Sequence, residues 1–72
     1  MSPEHKARFP LGCRVHFTEK AQRNFTLRRD VPATVVGYGR RDAYVWLIRD
    51  GNTWREPWSV EYIEPIGETV GD

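Results

Sequence analysis

Apolar and polar positions alternate in one short stretch near the start of this chain. In Gly12-Cys13-Arg14-Val15-His16-Phe17, Cys13, Val15 and Phe17 fall on one side and Arg14 and His16 on the other, the two-residue period of a half-buried strand. Ala33-Thr34-Val35-Val36-Gly37-Tyr38 is β-branched and aromatic and predicts a second strand, with Gly39-Arg40-Arg41-Asp42 as the turn that follows. Ala43-Tyr44-Val45-Trp46-Leu47-Ile48 is apolar throughout, which suits a central strand covered on both faces or one whose outer face meets a partner. Asp50-Gly51 is a strong hairpin signal, because glycine accepts the positive φ that tight hairpin turns demand. Asn52-Thr53-Trp54-Arg55-Glu56 then predicts a fourth strand ended by Pro57, Ser59-Val60-Glu61-Tyr62 a 3₁₀ turn, and Ile63-Glu64-Pro65-Ile66 a last strand whose proline belongs at an edge.

No window sustains the three-and-four spacing of a long amphipathic helix. Residues 18–32 are polar and basic, with only Phe25, Leu27 and Val31 as anchors. They read as a long loop, and loops of this length inside small domains are often functional. Residues 1–10 read as a flexible basic arm closed by Phe9-Pro10, residues 67–72 as an acidic tail, and residues 11–66 as the folded unit.

Composition narrows the class. A chain of 72 residues has material for one domain, and chains this short bury a modest share of their surface. Three Trp, three Tyr and three Phe must therefore supply much of the core. The single cysteine, Cys13, excludes an internal disulfide, and no Cys/His group has zinc-ligand spacing. Neither a signal-peptide run nor a membrane-length apolar stretch is present. A reduced, cytoplasmic setting without membrane, metal or cofactor is the expectation.

Charge is distributed unevenly. Residues 1–41 carry nine Lys/Arg against three acids, a net of +6, whereas residues 42–72 carry two Arg against seven acids, a net of −5. The whole chain has a net charge of +1. Such asymmetry can mark a basic face for an anionic partner, or two sets of charges that a compact fold brings together to neutralise one another.

The order of elements, five short strands with a long first loop and a helical turn before the last strand, is that of an all-β, five-stranded SH3-like barrel. Ser59-Val60-Glu61-Tyr62-Ile63-Glu64-Pro65-Ile66 resembles the terminal segment of SH3 domains, where a tyrosine-bearing 3₁₀ turn leads into a Val/Ile-Glu-Pro strand. Gly12-Cys13-Arg14-Val15, with Ala33-Thr34-Val35-Val36-Gly37 and Tyr44-Val45-Trp46-Leu47, is similar to the opening of bacterial or phage KOW-like and Tudor-like barrels. The Ala-Leu-Tyr-Asp-Tyr motif and acidic first loop of proline-binding SH3 domains are absent, which argues against a PxxP ligand. A more distant similarity is to type II plasmid dihydrofolate reductases, through Gly12 to Val15 and Val35-Val36-Gly37-Tyr38. Their Val-Gln-Ile-Tyr pore motif falls on Arg55-Glu56-Pro57-Trp58, so its glutamine and tyrosine are lost. Fold alone does not assign function.

Catalysis finds little material. His5 lies in the arm, directly after Glu4, and His16 on the polar side of the first strand, and neither stands in an obvious nucleophile–base or paired-carboxylate arrangement. Cys13 lies on an apolar side, where cysteine is usually inert. No glycine-rich loop joins a strand to a helix as a phosphate cradle. The expectation is a non-enzymatic binding module. Lys20, Arg23, Arg28 and Arg29 in the long loop, with Arg40 and Arg41 in the next turn, would form a basic rim for nucleic-acid phosphates. Phe25, Tyr38, Trp54 or Trp58 would stack on exposed bases. The alternative is a protein-docking or homo-oligomerising adaptor using Trp46, Trp54, Trp58 and Tyr62, residue types enriched at interface hot spots. If Val45 and Leu47 face the core, Trp46 and Ile48 face away from it. The style of the chain is that of a prokaryotic or phage accessory protein.

Overall fold

The computed structural model describes residues 3–25, 31–41 and 43–66. Its elements in chain order are α1 (Pro3–Arg8), β1 (Arg14–Phe17), α2 (Glu19–Phe25), β2 (Ala33–Tyr38), β3 (Tyr44–Arg49), β4 (Glu56–Ser59), a 3₁₀ turn (Val60–Tyr62) and β5 (Ile63–Pro65). The strands form one antiparallel sheet in the order β4-β3-β2-β1-β5. No ladder joins β4 to β5, so the sheet is open where a closed barrel was expected.

The alternation read from the sequence decides which face is buried. Val15, Phe17, Val35, Val45, Leu47 and Ile63 are buried, and with Phe9, Ala21 and Ala33 they make the core. Each large apolar side chain taken from water in this way contributes roughly 1.5–3 kcal/mol. Cys13 is half-buried against that core. The opposite face carries Tyr44, Trp46 and Ile48 from β3, as the sequence required once Val45 and Leu47 point inward. Residue pairs Thr34↔Ile48 and Val35↔Leu47 give way to Gly37↔Trp46, and the register shift at Val36 is a bulge.

Three expectations about local structure are corrected. Phe9, placed in the arm, is fully buried, and its carbonyl accepts the Tyr38 hydroxyl at 2.8 Å. Its preceding turn is helical because Pro3 opens α1 with φ already set and Glu4 favours the positive end of the helix dipole. Residues 18–32 are not all loop. The Thr18 hydroxyl accepts the Ala21 N–H at 3.2 Å, its carbonyl accepts the Gln22 N–H at 3.1 Å, and the capped segment continues as α2.

The fourth strand starts at Glu56 rather than ending there, because residues 52–55 remain in the hairpin connection. Pro57 is tolerated within β4 because β4 is an edge strand. Ser59 caps the 3₁₀ turn, its hydroxyl accepting the Glu61 N–H at 3.5 Å. Ile63 and Glu64 then pair with Phe17 and His16. Gly51 has φ 92°, as the hairpin at Asp50-Gly51 demands.

Among the described residues, no helix is long and apolar enough to cross a membrane. None of their His, Cys, Asp and Glu side chains gather in a group that could hold a metal ion.

Candidate nucleic-acid interface

The β2–β3 hairpin carries Arg40 and Arg41 at its tip, where both are exposed. Gly39 donates its N–H to the Tyr44 carbonyl at 2.9 Å and closes the hairpin. A Cβ at position 39 would lie 3.0 Å from the Tyr44 Cβ, so glycine lets the two strands approach there. Tyr44 follows the turn and is 39% exposed. Trp46, two residues on, lies on the same side of β3 and pairs with Pro57 of β4. Together Gly39, Arg40, Arg41, Tyr44, Trp46 and Pro57 line a hollow of about 330 Å³.

Tyr44 and Pro57 also belong to a second hollow of about 230 Å³, completed by Phe25, Trp58, Ser59 and Tyr62. Phe25 ends α2 and meets Trp58 and Tyr62 edge-on, with ring centroids 5.1 and 5.0 Å away. Trp58 in turn lies 4.7 Å from Phe17 of the core. The end of α2 at Phe25 and the hairpin tip at Arg40 and Arg41 therefore reach two adjoining hollows, joined at Tyr44 and Pro57.

The charges around these hollows divide sharply. Lys20 donates to Glu61 at 2.8 Å and lies 5.5 Å from the Tyr62 ring, so its charge is compensated. That hydrogen bond holds the Glu61 carboxyl below its ordinary range and raises the Lys20 ammonium. Glu56 faces inward, accepting from Arg49 at 2.7 Å and from the Trp58 indole at 2.9 Å. Partial burial pushes its carboxyl up, but the Trp58 and Arg49 hydrogen bonds outweigh this and hold it below the usual carboxylate range.

Arg14 grips Asp50 with two hydrogen bonds of 2.8 and 2.7 Å and also reaches the Thr34 hydroxyl. The Asp50 carboxyl is lowered and the Arg14 guanidinium raised by that contact. By contrast, Arg40, Arg41 and Arg55 have no ion-pair partner among the described residues. Arg55 lies over the Trp46 ring, 4.4 Å from its centroid.

The sequence-derived candidates thus separate. Arg40 and Arg41 share a hollow with Trp46, while Phe25, Trp58 and Tyr62 share the adjoining one. Arg23 is exposed on α2. Arg28 and Arg29 lie outside the described residues. Tyr38 is occupied structurally, packed against the core and bonded to Phe9. Trp54 is 59% exposed in a different place, beside Val31, Arg49, Asp50 and Asn52. Tyr44 and Arg55 were missed. The alternation of β3 already put Tyr44 beside Trp46, whereas Arg55 meets Trp46 only through the β3–β4 register.

Comparison with models of known protein families, with curated proteins and with solved structures finds no match to this chain.

Proposed function

We propose that this chain is a non-enzymatic nucleic-acid-binding module built on an SH3-like small β fold. The observation that carries the reading is the shared hollow, in which Arg40 and Arg41 border the exposed Tyr44 and the half-buried Trp46. Arg40 and Arg41 meet no carboxylate among the described residues, and such guanidinium groups suit phosphate oxygens while adjacent aromatic rings accept bases. The strand order supports the SH3-like assignment, since the first strand lies between the second and the last and the 3₁₀ turn leads into the last.

The test is a salt series of fluorescence anisotropy with labelled oligonucleotides between about 50 and 200 mM. Binding should weaken steeply as salt rises. The Arg40→Ala/Arg41→Ala double variant should bind more weakly and flatten the log–log salt slope by about 1.4–1.8 if each arginine meets one phosphate. No binding of any oligonucleotide at about 50 mM salt would sink the proposal.

A second reading draws on the other hollow. Phe25 is 49% exposed there, and the neighbouring Lys20 is compensated by Glu61, so that end suits an apolar protein contact or a second copy of the chain. Sedimentation that shows a monomer unaffected by Phe25→Ser, with no protein partner dependent on Phe25, would remove it.

A further inference from the structure

We infer that the strand recognised is single-stranded, with one unpaired base seated against Tyr44 and Trp46 and with Arg55 as an additional, unassigned binding residue. This rests on the nucleic-acid reading above and specifies its ligand.

Shape is the first argument. Among the described residues, the hollow between the hairpin tip and Pro57 is lined by apolar and aromatic side chains, with Arg40 and Arg41 as its charged side. A duplex presents phosphates outward but keeps the π-faces of its bases stacked inside, so it can satisfy the arginines and leave the rings empty. An unpaired base can fill the hollow and stack on the exposed Tyr44 ring beside Trp46, while its flanking phosphates reach Arg40 and Arg41.

The second argument is the placement of Arg55. Its guanidinium lies 4.4 Å from the Trp46 centroid, a planar cation over an indole face. The ring limits the rotamers of Arg55 before any ligand arrives, so less freedom is lost when its N–H groups bind. Gly37 pairs with Trp46 across the β2–β3 ladder, and the indole lies alongside it, its Cδ1 3.6 Å from where a Cβ would be. The Arg55–Trp46 pair sits on β3 opposite Gly37. Through Trp46, which lines the hollow, Arg55 brings a fork of donors to its border, suited to a phosphate or to the edge of the seated base.

The experiment compares oligo-dT, oligo-rU and a DNA duplex, each of about 12 nucleotides, at one low salt concentration. At least one single strand should bind at least about tenfold more tightly than the duplex, and the two single-stranded arms tell a DNA source from an RNA source. Tyr44→Leu keeps apolar bulk but removes the π-face, and Arg55→Ala removes the fork. Each should weaken single-strand binding by about fivefold or more while leaving duplex binding within about twofold. Thermal melts establish that the variants fold. Should Arg55→Ala fail to fold, Arg55→Lys keeps the charge without the planar group, and single-strand binding should still fall.

Duplex binding as tight as single-strand binding would overturn this inference while leaving the proposed function standing. So would wild-type single-strand affinity in folded Tyr44→Leu and Arg55→Ala or Arg55→Lys proteins. Absence of binding to all three probes would overturn both.

Discussion

The Trp58 indole donates to the carboxylate of Glu56, two residues earlier on the same strand, at 2.9 Å. Residues i and i+2 share one side of a strand, so Glu56 lies beneath the sheet with Trp58 and can accept from Arg49 as well. One carboxylate thereby fixes the ring that joins the core at Phe17 to the exposed Phe25.

Glu56→Gln should destabilise the fold by about 1.5–3 kcal/mol at pH 7, the range for hydrogen bonds to a charged group. The Glu56 carboxyl is held below its ordinary value in the folded protein. Its contribution is therefore present above the unfolded carboxylate pKa, near 4.3, and is lost as pH falls through the lower folded value. Urea melts of both proteins at pH 7 and near pH 3 should show the gap between them shrinking in acid. A constant gap would place the effect elsewhere.

Ala43→Gly should stabilise the protein. Ala43 has φ 79°, a left-handed conformation that costs a residue with a Cβ about 1–2 kcal/mol. The added unfolded-state entropy of glycine takes back about 0.4–1 kcal/mol. A net gain of about 0.5–1 kcal/mol should appear as a higher urea midpoint with an unchanged slope.

Phe9→Ala should cost about 3–5 kcal/mol, the range for a buried aromatic truncated to alanine, because Phe9 is wholly enclosed. In a chain this short that is enough to leave much of the population unfolded. Circular dichroism melts read it directly. A change under about 1 kcal/mol would mean that the amino-terminal segment contributes nothing to the core.

Asp50→Asn should matter little to stability at high salt and more at low salt, since the Arg14–Asp50 pair is about half exposed. Because the Asp50 carboxyl is held low by Arg14, whatever the pair contributes is present above the unfolded carboxylate pKa and disappears in acid. Melts at two salt concentrations and two pH values check both signs.

The inner face of the sheet was legible from sequence because Val15, Phe17, Val35, Val45 and Leu47 follow a two-residue period and all are buried. The short helices were harder to see. Only Ala21 is buried in the seven residues of α2, and none is buried in α1, so neither has an apolar stripe to detect. The capping hydroxyl of Thr18 was the available signal for α2. Phe9 escaped notice because one buried ring after a polar stretch has no period at all.

Pro57 misled differently. A proline ends an interior strand but is accommodated at an edge, and edge position is a property of topology. The candidate site divides along the same line. Arg40 and Arg41 follow from a turn signal, whereas the stack of Arg55 on Trp46 depends on which β4 residue lies opposite Trp46.

Both outer strands of the sheet carry a proline, Pro57 in β4 and Pro65 in β5. A proline cannot donate a main-chain hydrogen bond, so each border offers a broken row of donors to any strand that approaches it. Fibre growth by edge-to-edge addition of further molecules is discouraged on both sides. The chain can expose Tyr44, Phe25 and Trp54 to potential ligands while keeping its own borders poor templates for aggregation.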